Sequence, residues 1–250
     1  MTVKIGDVKL NTHGTPMKII KYNNNNDIWV EFQDKHKYKK KVFVNNFKRG
    51  TVINPYDKII SGIGYLGEGK YKSCIGDKDD LVYVKWRNMI HRCYEPKNYH
   101  NVGYDHCTVC EEWQNYQNFA KWHEDNFYII PNYTGRMDLD KDILHKGNKV
   151  YSPDTCIFVP QEINLLFVNR RNYRGDLPIG VSKSGNRFIA SCGYNHKVKN
   201  LGSYNTSEEA FLAFKAFKEQ HIKNVADKYK QYIPEKLYKA LYDWKIEITD

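Results

Sequence analysis

The sequence contains no uninterrupted apolar run of the ~18 residues that a membrane-spanning helix requires, so no membrane span is expected. Its first ten residues, MTVKIGDVKL, have neither a long apolar core nor a small-residue cleavage site. A secretory leader is therefore not expected, and the chain reads as cytoplasmic. Acidic residues are in deficit: 29 Asp plus Glu stand against 39 Lys plus Arg, a formal net charge of +10. A solvated basic surface is the plain reading. The functional one is a polyanionic partner, because phosphates neutralised by Lys or Arg release condensed counterions. The six cysteines, in a reducing compartment, read as thiols or metal ligands rather than disulfides. Aromatic residues are plentiful at 14%, with 20 Tyr, enough to build cores and to stack on bases.

Within 250 residues the patterning suggests an α+β chain of three segments. Residues 1–70 read as short strands with tight turns, and a small β-barrel of the Src-homology kind is expected there. In DIWVEF, residues Ile28, Val30 and Phe32 share one face while Trp29 and Glu31 share the other. The basic run KHKYKKK at 35–41 is a solubilising loop or a phosphate contact. GIGYLGEGKYKS at 62–73 reads as a linker, since its glycines do not match a dinucleotide fingerprint. In the segment 74–170, Trp86, Met89, Ile90 and Cys93 recur at helical spacing, and FAKWHEDNF suggests a second helix. Residues 176–250 begin as a three-stranded meander. A helix opened by Thr206, with Glu209 completing a capping box, follows it. Pro234 ends that helix or starts another, and KIEIT is expected as an edge strand.

From Tyr83 to Asn169 the chain resembles the phage-type HNH endonuclease family. The likeness is carried by Trp86, Met89 and Arg92-Cys93-Tyr94, then Val109-Cys110-Glu111-Glu112-Trp113, then Leu139-Asp140, Tyr151-Ser152-Pro153, Cys156 and Asn164. The resemblance implies a ββα unit gripping one divalent ion, magnesium or manganese, with Asp140 and Asn164 as ligands and a histidine activating water. In this chain Lys141 falls on the general-base position and Thr155 on that of a loop-fixing Asn. With an ordinary pKa near 10.4 a lysine is a poor base at neutral pH unless strongly desolvated, and it can instead pair with phosphate. His145 is either a substitute base or an exposed turn residue. Metal-dependent cleavage and DNA binding on a retained scaffold both stay open.

The third segment resembles the APETALA-type (ethylene-response-factor, integrase-like) DNA-binding domain. Gly180-Val181, Phe188, Ala190, Leu201-Gly202, Tyr204, Thr206 and Glu208-Glu209-Ala210 match its pattern in order. The resemblance implies a three-stranded sheet laid in the major groove and backed by a helix. Strand parity then turns Phe188, Ala190 and Cys192 to the helix and Arg187, Ile189 and Ser191 to DNA. Arg187 is the candidate base contact. Lys183, Lys197 and Lys199 are candidate phosphate contacts, and Lys199 sits on the core parity set by Leu201, which predicts a bulge or a shifted register. A protein-binding αβ module is the competing reading. This order of modules is similar to phage and mobile-element endonucleases, including homing types, and implies a bacterial host cytoplasm with double-stranded DNA or a host protein as partner.

Cys93, Cys107, Cys110 and Cys156 cluster in the HNH-like segment, and Cys107-Thr-Val-Cys110 has zinc-knuckle spacing. A structural zinc is one reading, buried apolar thiols the other.

Overall fold

Alternation fixes the first sheet. Ile28, Val30 and Phe32 have no solvent exposure, while Trp29 on the opposite face is exposed. In the computed structural model, which describes residues 2–95, 104, 106–168, 176–194 and 197–250, this stretch is the third of four antiparallel strands. These are β1 (Val8–Leu10), β2 (Pro16–Asn24), β3 (Asp27–Phe32) and β4 (Lys39–Val42), paired in sequence order. Helix α1 (Val44–Arg49) contributes Val44 and Phe47 to the same core. The expected barrel is corrected: the sheet is open, with β1 and β4 as its edges. Two strands of three and four residues are too short to close a barrel, and α1 helps cover the core instead. The basic run is partly neutralised within the sheet, Lys39 pairing with Glu31 at 3.4 Å and Lys41 with Asp27 at 3.0 Å.

The Gly-rich stretch is no loose linker. Tyr65 N donates to Gln114 O and Tyr116 N to Tyr65 O, both at 2.9 Å, and Gln117 Nε2 donates to the carbonyls of Leu66 and Tyr71. Gly64 lies so close to the packed interior that a Cβ there would stand 2.6 Å from Ile90 and 2.9 Å from Trp86. The glycines permit contact here rather than flexibility.

A short hairpin, β5 (Cys74–Ile75) with β6 (Lys78–Asp79), leads into helix α2 (Leu81–Tyr94). Asp80 caps α2 by accepting from Val82 N and Tyr83 N. Trp86, Met89 and Ile90 are wholly buried, as the helical spacing predicts, and Trp86 Nε1 donates to Trp113 O at 2.7 Å. β7 (Thr108–Val109), α3 (Glu111–Gln114) and α4 (Tyr116–Asn126) follow. Residue 169, where the HNH-like likeness ends, lies outside the described residues.

β8 (Met137–Asp140) pairs antiparallel with β10 (Ile157–Pro160), while the intervening β9 (Val150–Tyr151) pairs parallel with β7. α5 (Gln161–Asn164) follows β10 directly and runs into a 3₁₀ turn, Leu165–Phe167. β11 (Val181–Ser184), β12 (Arg187–Tyr194) and β13 (Lys197–Tyr204) form the expected meander. α6 (Ser207–Tyr229) opens with the expected Thr206–Glu209 capping box, and α7 (Glu235–Tyr242) begins after Pro234. The C-terminal edge strand is corrected. Residues after α7 form no strand; Ile246 is buried, and its N–H donates to Glu219 Oε1 on α6 at 2.9 Å.

The three sequence segments regroup as two compact units, Met1–Asp125 with Lys149–Ser152, and Asn126–Asn148 with Pro153–Asp250. The pairing of β9 with β7 takes Lys149–Ser152 out of chain order into the first unit.

Candidate nucleic-acid interface

Two sites belong to the second unit. The first is the β8–β10–α5 unit. Alternation along β8 places Asp138 and Asp140 on one face. The antiparallel register sets Asp140 opposite Ile157 and Asp138 opposite Val159. Asn164, on the helix that follows, donates from Nδ2 to Asp138 Oδ2 at 3.0 Å. Arg136 pairs with the same carboxylate. The sequence reading set Asn164 with Asp140; in the structure Asn164 bonds Asp138, an acid that reading did not single out. The signal was available in the Asp-Leu-Asp spacing, which puts both acids on one side of a strand.

Asp140 instead closes the turn after β8. Its Oδ1 accepts from Asp142 N at 2.8 Å and Ile143 N at 2.7 Å. Burial, then the neighbouring Asp142 charge, push its pKa up to about 6, against the pull of those two N–H groups. Lys141 is buried, 7% exposed, and its ammonium lies 3.1 Å from Asp142 Oδ2. Asn148 Nδ2 donates to Lys141 O at 2.7 Å and ties the turn together. His145 is an exposed residue of this loop, and the neighbouring Lys146 reaches Asp250 Oδ2 at 2.6 Å. Thr155 is half-buried just before β10.

For a hard cation this is a sparse ligand set. Asp138 is engaged by Asn164 and Arg136, and Asp140 by two backbone N–H groups and the Asp142 carboxyl. Magnesium takes few protein ligands only where phosphate and water supply the rest. Among the described residues no three His, Cys, Asp or Glu side chains gather as a metal-holding group.

Cys107 and Cys156 are buried and Cys93 and Cys110 half-buried; the first unit holds Cys93, Cys107 and Cys110, the second Cys156. Cys107 and Cys110 flank the two-residue strand β7, Cys110 standing at the start of α3.

The second site is the sheet β11–β12–β13. Ala190 and Cys192 are buried on the helix side, so Arg187, Ile189 and Ser191 share the other face, as parity predicts. The guanidinium of Arg187 is held in place: Nε donates to Ser203 Oγ at 3.2 Å, Nη2 to Ser203 O at 2.7 Å, and Nη1 to Asn205 Oδ1. Ser182 and Ser203 flank Ile189 across the strands, leaving a small-residue surface around Arg187. The expected bulge is present. The register shifts between Ala190 and Ser191, with Ala190 opposite Gly202 and Ser191 opposite Asn200, so Leu201 is the extra residue.

That shift decides the lysines. Lys199 pairs with Cys192 and its ammonium lies 4.7 Å from the centre of the Phe217 ring on α6. Lys197 pairs with Tyr194, which packs on Phe217 and His221. Lys183 pairs with Phe188, its ammonium 6.0 Å from that ring. All three belong to the helix-side face, and the register does not bring them together with Arg187 and Ser191.

No family model, no curated protein and no solved structure matches this chain.

Proposed function

We propose that this protein binds double-stranded DNA through the β11–β12–β13 face and holds it on an HNH-like scaffold without cutting it efficiently. The observation that carries the reading is Lys141. At the position where an HNH-like site needs a proton acceptor, the chain has a buried ammonium paired with Asp142. The Asp142 carboxylate favours the charged form against burial, and a protonated amine donates hydrogen bonds and accepts no proton from water. The +10 net charge supports a polyanionic partner, and Arg187, steadied by Ser203 and Asn205, is pre-set for a bidentate contact to a guanine edge.

A slow metal-assisted nicking activity is the second reading, favoured by the proximity of Asp138 and Asn164 at 3.0 Å, with a cation displacing that bond and the Arg136 pairing. It places a strand carboxylate beside a helix amide, and DNA phosphates would complete a magnesium or manganese shell. The test is one incubation series with supercoiled and genomic DNA, with magnesium, manganese or EDTA. Salt-sensitive binding without nicks under any condition is expected. Metal-dependent nicks abolished by Asp138→Ala or Asp140→Ala would move the conclusion to the second reading.

A further inference from the structure

We propose that the first unit carries a pocket for a guanine base, separate from the DNA-facing sheet. The pocket is a cleft of about 420 Å³, a size suited to a small ligand. One wall is aromatic. The His36 ring lies flat on Tyr56, with centroids 3.7 Å apart and planes within 5°. Tyr65 leans against both, at 6.2 and 5.9 Å.

The wall is fixed from behind. Asp34 Oδ1 accepts from His36 N and Lys37 N, and its Oδ2 from Asn54 Nδ2 at 2.7 Å, which sets the loop presenting His36. Tyr56 donates its hydroxyl to Glu68 at 2.9 Å. The backbone of Tyr65 is bonded on both sides, to Gln114 and Tyr116. Asp57, on the floor, is fully occupied by Asn11 and Thr15. These groups shape the cleft and are not offered to a ligand.

Two lining groups are offered. Glu111 and Gln114 stand three residues apart on α3, on one helical face beside Tyr65. Among the described residues the Glu111 carboxylate makes no hydrogen bond or ion pair, and it lines the same cleft as Tyr65, whose pKa burial and then the Glu111 charge raise. At the mouth, the ammonium groups of Lys35 and Lys58 are exposed.

Base chemistry selects the ligand. A flat ring stacks on the aromatic wall regardless of its identity. A carboxylate at the ring edge accepts only, so it needs two adjacent N–H donors. Guanine alone among the bases presents N1–H beside an exocyclic N2–H on its pairing edge. Adenine and cytosine place a ring-nitrogen acceptor there, and thymine flanks its single N–H with carbonyl oxygens. Lys35 and Lys58 then suit the attached phosphate as point charges. The guanine could belong to a free nucleotide or to a single strand.

The experiment is titration calorimetry of the full chain with guanosine monophosphate, adenosine monophosphate, an oligothymidine carrying one guanine, and a capped arginine peptide. Guanosine monophosphate should bind at least about tenfold more tightly than the adenine nucleotide. Glu111→Gln should erase that preference, Tyr65→Ala should weaken both nucleotides, and Arg187→Ala should change neither, while thermal melts of each variant report an intact fold. A tighter oligonucleotide identifies the single strand as the source; equal affinity identifies the free nucleotide. The proposal is overturned if no nucleotide binds, if the two mononucleotides bind alike, if Glu111→Gln leaves the preference intact, or if the arginine peptide binds in preference to guanine.

Discussion

His123, on α4, keeps a neutral imidazole far into the acid range. Burial, then the charge of Lys85, lower its pKa to about 4 from an ordinary 6.5. The unfolded chain therefore binds a proton that the folded chain refuses between those values. The stability contributed by the neutral ring is whole above pH 6.5 and is lost as pH falls toward 4. Partial exposure reduces the effect to on the order of 2 kcal/mol. Unfolding free energies of wild type and His123→Gln, measured from pH 4 to 8, should converge at the acid end and separate above 6.5. A second residue-scale test concerns Gly180, whose φ is +77° and where a Cβ would meet the Phe214 ring at 2.1 Å. Gly180→Ala should cost about 2–4 kcal/mol, from strain and overpacking together. Gly185, at φ +58° but facing open space, should cost only about 1–2 kcal/mol on the same change. Chemical denaturation of the two variants separates collision from conformation.

At the scale of elements, the three-stranded sheet divides its cations between two faces, and DNA affinity should follow that division. Arg187→Ala should weaken binding to a preferred site by about 1–3 kcal/mol. Lys183→Ala and Lys199→Ala, on the helix side, should each change it by less than about 0.5 kcal/mol. Fluorescence anisotropy at two salt concentrations checks this, and equal losses at all three positions would remove the distinction. Strand β3, helix α2, the Thr206 cap and the bulge at Leu201 were legible because each depends on neighbours within a few residues. The open edge of the first sheet was not, since closure depends on strand lengths and on what α1 covers. Nor was the strap of residues 62–73, whose glycines read as freedom until Trp86, Ile90 and Asn115 are seen against them. The face of Lys183 required the register with Phe188, and the partner of Asn164 required the strand to be set against its helix. The cleft that brings Glu111 to Tyr65 joins segments some 46 positions apart, which no local pattern reports.

For the whole molecule, the decisive feature is that β9 leaves one compact unit and completes the other. Tyr151 is only 2% exposed, and its carbonyl accepts from Cys110 N at 2.9 Å. Tyr151→Ala should destabilise the first unit by about 3–5 kcal/mol, as removal of a buried aromatic does. Hydrogen exchange should show the loss at β7 and α3, although the altered residue lies far along the chain from them. No single cleavage of the chain separates the units, so limited proteolysis should not release a stable piece ending at residue 125. The same threading sets a clock during synthesis. A ribosome extending the chain by about 5–20 residues per second needs on the order of 1–5 s to pass from residue 125 to 149. Through that interval β7 lacks its partner, and the edge it presents stays open until β9 emerges.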